Sequence, residues 1–220
     1  MKKVGLVFVI AIVSLAAPAF AQAERGYVGG AGGFAVTPEA TSGGAMIEAG
    51  YRIAPRLFVF GDFGQYHDLQ PSDVQPAIDS ATEQLSTEGL NTIGTGRVPA
   101  NYLLGGLRYE APSMGRIVPY ALGGVGFAHL SPTATFTYSS GTMPDGSTAT
   151  LGQDITSEIV SSGGFTAPPS SNAFMYSFGG GVQIPVVGGW TADVGYRFSR
   201  IDADTPVNAQ GMMFGLAYRF

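Results

Sequence analysis

Gly211-Met212-Met213-Phe214-Gly215-Leu216-Ala217-Tyr218-Arg219-Phe220, the last ten residues, decide the reading of the fold. One parity reads Met212, Phe214, Leu216, Tyr218, Phe220; the other reads Gly211, Met213, Gly215, Ala217, Arg219. Side chains on a strand alternate between two faces, so one face is large and apolar and the other small and once charged. In a water-soluble sheet the large face turns inward and the second face meets water. A second face of Gly, Ala and Met suits water poorly, but suits the interior of a narrow barrel, where only limited side-chain bulk fits.

The same pattern recurs upstream. Residues 189–200 set Trp190, Ala192, Val194, Tyr196 and Phe198 against Thr191, Asp193, Gly195, Arg197 and Ser199. Residues 172–185 set Phe174, Tyr176, Phe178, Val182 and Ile184 against Met175, Ser177, Gly179, Gly181 and Gln183. Residues 43–53 set Ala45, Ile47, Ala49, Tyr51 and Ile53 against Met46, Glu48, Gly50 and Arg52. Four more segments, at 26–36, 56–66, 98–110 and 116–130, complete a set of eight. Two are less clean. In 56–66 both parities are apolar and the side taken by Phe60 is open. In 116–130 the large residues change parity, from Val118, Tyr120 and Leu122 to Val125 and Phe127, so a bulge at Gly123-Gly124 is expected.

Strands of about ten residues are the length needed to cross a bilayer as a barrel. Aromatics at segment ends (Tyr27, Tyr51, Tyr109, Trp190, Tyr218, Phe220) are expected to form interface girdles. Connections after segments two, four and six are short, whereas 67–97 and 131–171 are long, the alternation of turns and outer loops that such a barrel shows. Ile78, Ala81 and Leu85 stand at helical spacing within Gln75 to Leu90, and 131–171 reads either as mobile or as a hairpin extending the strands. The fold expected is all-β: a closed, antiparallel, eight-stranded transmembrane β-barrel over 22–220.

The first 21 residues are set apart as a secretory signal peptide: Lys2 and Lys3, an apolar run from Val4 to Ala17, then Ala19-Phe20-Ala21 before the cut, with Ala23 as the alternative site. Both lysines lie there, so nine arginines and 16 acids leave the mature chain at −7. Nucleic acid is thereby excluded as a partner. Without cysteine, disulfides, thiolate metal sites and a cysteine nucleophile are excluded too. Only 12% of residues are charged, about half the usual share, while glycine numbers 33.

The leader, the eight segments, the loop pattern and Ala217-Tyr218-Arg219-Phe220 together resemble the small outer-membrane barrels of the OmpA, OmpX and OmpW type. The resemblance implies that Phe214, Leu216, Tyr218 and Phe220 form the signal read by the barrel-assembly machinery, and that the surroundings are outer-membrane lipid and lipopolysaccharide. The sequence stops at this strand, so the peptidoglycan-binding domain of full-length OmpA-type proteins does not carry over.

Charged residues of the strands fall on the inward parity or near strand ends: Glu48, Asp62, Glu110 and Asp193 against Arg52, Arg108, Arg197 and Arg219. A neutral salt-bridge network filling the lumen is the expected structural role. No catalytic residue, metal ligand or cofactor is assigned. The loops are acidic, holding Glu39, Asp68, Asp73, Asp79, Glu83, Glu88, Asp145, Asp154, Glu158, Asp202 and Asp204 against Arg97 and Arg200. Gly29-Gly30-Ala31-Gly32-Gly33 lacks the β-α-β unit of a nucleotide loop. Of the two histidines, His67 stands at the top of the third segment. His129-Leu130-Ser131 resembles the His-x-Ser of PagL-type lipid A deacylases, though Pro132 replaces the asparagine that follows there. Three classes follow. The leading one is a non-enzymatic surface protein that presents 67–97 and 131–171 to a ligand the sequence does not name. The others are a narrow OmpW-type path for small apolar molecules and a lipid A-modifying enzyme.

Overall fold

The computed structural model describes residues 25–143 and 145–220; the expected signal peptide lies outside them. Eight strands close a barrel: β1 (Gly26–Val36), β2 (Thr41–Ala54), β3 (Leu57–Tyr66), β5 (Ala100–Glu110), β6 (Val118–Leu130), β8 (Ser171–Pro185), β9 (Trp190–Asp202) and β10 (Val207–Arg219). All neighbours are antiparallel, and β1 pairs with β10 to close the ring. Following paired residues once around leads from Gly26 through Tyr51, Val59, Leu107, Gly123, Phe178, Phe198 and Gln210 back to Val36. The circuit is displaced by ten residues. With strands about 4.8 Å apart and a rise of about 3.3 Å per residue, that stagger tilts them by roughly 40°.

Each strand buries one parity and exposes the other. The exposed wall is apolar, with Leu103 at 66% and Phe127 at 67%, and Ile47, Phe63, Phe178 and Leu216 similarly open. Such a band belongs against lipid, since water would leave it uncompensated. No helix among the described residues is long and apolar enough to cross a membrane.

Three expectations are corrected or completed. The ladders on both sides of β6 run without interruption through Gly123 and Gly124, so no bulge stands there; the register shift lies instead between Arg52 and Ala54. Tyr120 and Leu122 point into the lumen, while Val125 and Phe127 face outward. Large inward residues are admitted because glycines stand opposite: a Cβ on Gly195 or Gly181 would lie 2.4 or 2.7 Å from the Tyr120 hydroxyl, and one on Gly124 2.3 Å from Leu104. In β3, Phe58 and Phe60 face inward. Tyr27 is no girdle residue: it is 2% exposed and points inward, whereas Tyr51, Tyr109 and Trp190 are about half exposed on the wall.

The long loops are folded. The first carries α1 (Val74–Thr87) and β4 (Leu90–Arg97); the second carries β7 (Thr133–Gly141) and α2 (Thr156–Ser161). β4 and β7 pair with each other in the register of β5 and β6, from which they are separated by Val98-Pro99 and Ser131-Pro132, outside any strand. The extension is thus built from both loops, not from a hairpin within the second. Gly94 and Gly96 are held bare by α1: a Cβ at either would meet Ile78 at 2.4 or 2.7 Å.

Candidate functional site

Every strand of the barrel sends a polar or aromatic side chain into one central cluster. Glu48 of β2 lies at its middle. Its Oε1 accepts hydrogen bonds from the Tyr27 hydroxyl at 2.7 Å and from Arg108 Nη1 at 3.0 Å. Its Oε2 accepts from Arg197 Nη2 at 3.0 Å. Arg108 of β5 also reaches Asp193 Oδ2 at 3.2 Å and lies 3.6 Å from Glu110. Its guanidinium stacks on Tyr120, 3.6 Å from the ring centre, and the Tyr120 hydroxyl donates to Asp193 at 2.7 Å. Arg197 of β9 binds Asp62 of β3, whose side chain is wholly buried.

Nearer the short turns, Arg219 of β10 donates to Glu110 at 2.5 and 3.2 Å and to Gln183 Oε1 of β8. Seven of the eight charged residues singled out in the sequence therefore join in ion pairs. Arg52 is the exception. Among the described residues it forms no ion pair, and its guanidinium lies over Phe58, 5.2 Å from the ring centre. A charge buried away from water is tolerable only when paired and hydrogen-bonded, and multidentate arginines supply both at once.

Sequence reasoning missed the uncharged half of this cluster. Tyr27 and Gln183 share the small-residue parity of their strands, which was the available signal: Tyr27 stands in line with Gly29, Ala31 and Gly33, whereas Tyr120 stands in line with Val118 and Leu122 and carried no such signal.

The lumen is closed toward the long loops by an apolar layer. Tyr66 and Tyr102 stack at 5.3 Å, and the Tyr66 hydroxyl shares a 3.3 Å hydrogen bond with Ser199. Above them Leu130, Met175, Ile201, Val207, Val98 and Leu69 are buried. This layer runs on into the core of the cap, where Ile78, Leu85, Phe136, Ile155 and Ile159 pack between the helices and the β4–β7 ribbon. The central cluster leaves a cavity of about 40 Å³, room for one or two waters. A vestibule of about 280 Å³ opens at the short-turn end between Val118, Trp190, Thr191 and Arg219, and Gln183 lines both spaces.

The histidines are not brought into a catalytic arrangement. His67 is exposed, and its backbone N–H donates to Gly43. His129 lies on the outer wall, where Nδ1 is 2.9 Å from Asn172 Oδ1, an amide and not a carboxylate. The Ser131 backbone N–H is tied to Pro99. Among the described residues no cluster of three or more His, Asp or Glu could hold a metal ion. In the second loop, Asp154 accepts from the Thr156 hydroxyl at 2.6 Å and its N–H at 3.0 Å, and Asp145 from the Ser147 N–H at 2.9 Å. Hydrogen bonds from Thr156 and Ser147 hold these two carboxyls below the usual carboxylate range.

Residues 7–220 match the family model described as outer membrane protein beta-barrel domain. No curated protein matches significantly. Among solved structures, Neisserial surface protein A is 15% identical with a TM-score of 0.50, covering 89% of this chain and 96% of its own. A major outer membrane protein from Thermus thermophilus is 15% identical with a TM-score of 0.52, covering 90% of this chain and all of its own. The attachment invasion locus protein of Yersinia pestis is 16% identical with a TM-score of 0.45, covering 90% and 97%. At such identities the likeness concerns the fold alone.

Proposed function

Because the chain belongs to the outer-membrane β-barrel domain family, and so to a bacterial outer membrane, we propose that it is a sealed, non-enzymatic surface protein that strengthens the membrane and presents a folded cap outside the cell. The lumen carries this reading. Its network of ion pairs and hydrogen bonds draws a side chain from every strand, and an apolar layer lies between that network and the long loops. An eight-stranded barrel is just wide enough for side chains to fill it, and here they do.

In this orientation the short turns face the periplasm. The cap of α1, β4, β7 and α2 stands outside as a preformed interaction platform rather than a set of flexible loops. Phe214 and Leu216 face outward from the last strand, with Tyr218 packed against Trp190, which supports their role with Phe220 as the assembly signal. The resulting partners are the barrel-assembly machinery during insertion and the surrounding lipid afterwards.

Conductance tests the reading directly. The refolded protein in planar bilayers is expected to give no discrete current steps at any applied voltage. Reproducible single-channel openings from pure protein would overturn it in favour of a narrow path for small apolar molecules.

A further inference from the structure

The vestibule at the short-turn end has a polar floor and apolar walls. Gln183 of β8, 1% exposed, lines it from the lumen side. Its amide oxygen accepts from Arg219, and a guanidinium can only donate, so this contact fixes which end of the amide is which. The other end, Nε2, is buried and has no hydrogen-bond partner among the described residues. A buried amide donor left unmet is costly, and such groups are rare in folded proteins. The walls are Val118, Pro185, Val186, Val187 and Trp190. Val186, Val187 and Trp190 are exposed. The turn that carries them is held by three backbone bonds: Val186 N–H to Trp190, Trp190 N–H to Val187, and Arg219 N–H to Gly189. The vestibule is therefore preformed.

We propose that the vestibule binds one aliphatic residue of an uncharged peptide segment presented from the periplasm. The side chain lies against the valines and Trp190, and a backbone carbonyl accepts from Gln183 Nε2. The inference takes the orientation given above and adds a site to it: the apolar seal lies at the other end of the lumen, and this mouth opens below it. Size agrees, since about 280 Å³ is below the range of drug-sized pockets and suits one residue with its flanking peptide groups. Charge selects a neutral acceptor. Arg219, the cation lining the vestibule, already faces both oxygens of Glu110. One neutral donor satisfies a carbonyl but does not repay the desolvation of a carboxylate. A water would also meet Nε2, but it would leave the apolar walls uncovered.

Trp190 is the sole tryptophan and lines the vestibule, so its emission reports occupancy. The full barrel is refolded into phosphatidylcholine vesicles and titrated at neutral pH with N-acetyl-leucine amide. A saturating change is expected, half complete at millimolar concentration, the order for a ligand of about a dozen non-hydrogen atoms. N-acetyl-glycine amide, without the side chain, should bind at least about tenfold more weakly. N-acetyl-leucine, with a carboxylate in place of the amide, should bind at least about fivefold more weakly. Gln183→Met removes the donor at similar volume and should weaken the leucine amide about five- to tenfold. Val118→Phe narrows the mouth and should abolish the saturable response. Val118 lies outside the ion-pair network, so this variant scores the pocket even where Gln183→Met fails to fold. A linear response shared by the parent and both variants means partition into lipid and overturns the proposal. So does unchanged affinity in a folded Gln183→Met, or a carboxylate bound as tightly as the amide. No response up to the solubility limit of the leucine amide means a water-filled mouth only and overturns it too. None of these outcomes touches the sealed-barrel reading, which is scored by conductance.

Discussion

Replacing Arg197 by methionine tests how the lumen is held together. Among the described residues Arg197 is the only cation paired with Asp62, and it also holds Glu48 Oε2 at 3.0 Å. Methionine fills much of the same volume but leaves the wholly buried Asp62 carboxylate without its partner. Glu48 keeps Arg108 at 3.0 Å and the Tyr27 hydroxyl at 2.7 Å, so the loss concentrates on Asp62. Removing one member of a buried ion pair costs about 3–5 kcal/mol, most of it the desolvation left uncompensated. A loss of about 4 kcal/mol is roughly three decades in the folding equilibrium. Adding Asp62→Asn removes the orphaned charge, so the double variant should regain at least about 2 kcal/mol although it has lost more polar contacts. The assay is urea unfolding in lipid vesicles followed by the fluorescence of Trp190, the sole tryptophan, and cross-checked by the gel mobility of unboiled samples. If Arg197→Met unfolds within about 1 kcal/mol of the parent, or the double variant is no better than the single, the charge-pair account of the lumen is wrong.

Three further outcomes are expected. Gly50→Ala places a Cβ 2.3 Å from the Tyr27 ring, whose hydroxyl is pinned to Glu48, and should cost about 1–3 kcal/mol in the same urea titration. Phe136→Ala empties the centre of the cap and should cost about 3–5 kcal/mol locally; hydrogen exchange should rise in α1, β4 and β7 while the barrel's resistance to cold detergent is unchanged. Asp154, whose folded-state carboxyl lies below its unfolded value, stabilises the start of α2 above the ordinary aspartate range. That contribution is lost as pH falls through the depressed folded value, so the protection of Thr156–Ser161 relative to intrinsic exchange should drop there in the parent and show no such drop in Asp154→Asn.

The strands were legible because two solvents act on them at once. Lipid outside and a crowded lumen inside force a period of two, and Phe214-Gly215-Leu216-Ala217 can satisfy both in only one way. The charged members of the lumen were legible for the same reason, since none would be stable on the lipid side. What was illegible had lost the contrast between faces. Leu57, Phe58, Val59 and Phe60 offer no small parity, and Tyr120 looks outward-facing until Gly181 and Gly195 are known to stand against its hydroxyl. β4 and β7 escape a reading by segment because each is short and rich in Thr and Gly, and each meets its partner only across some forty residues of chain. Arg52 shares parity with Glu48 yet sits on Phe58, a choice that spacing along one strand does not express.

The pairing of β1 with β10 has a kinetic consequence. Closing the ring joins residues as far apart as Tyr27 and Arg219, and a loop that long costs about 5 kcal/mol in chain entropy before any contact across it is gained. β1 is also the strand least disposed to order, since Gly26, Gly29, Gly30, Gly32 and Gly33 each surrender more backbone freedom than any other residue type. The seam should therefore be the last contact made on insertion and the first to part under force. A barrel pulled from its amino end would unzip strand by strand from β1, while one pulled from its middle would resist as a unit.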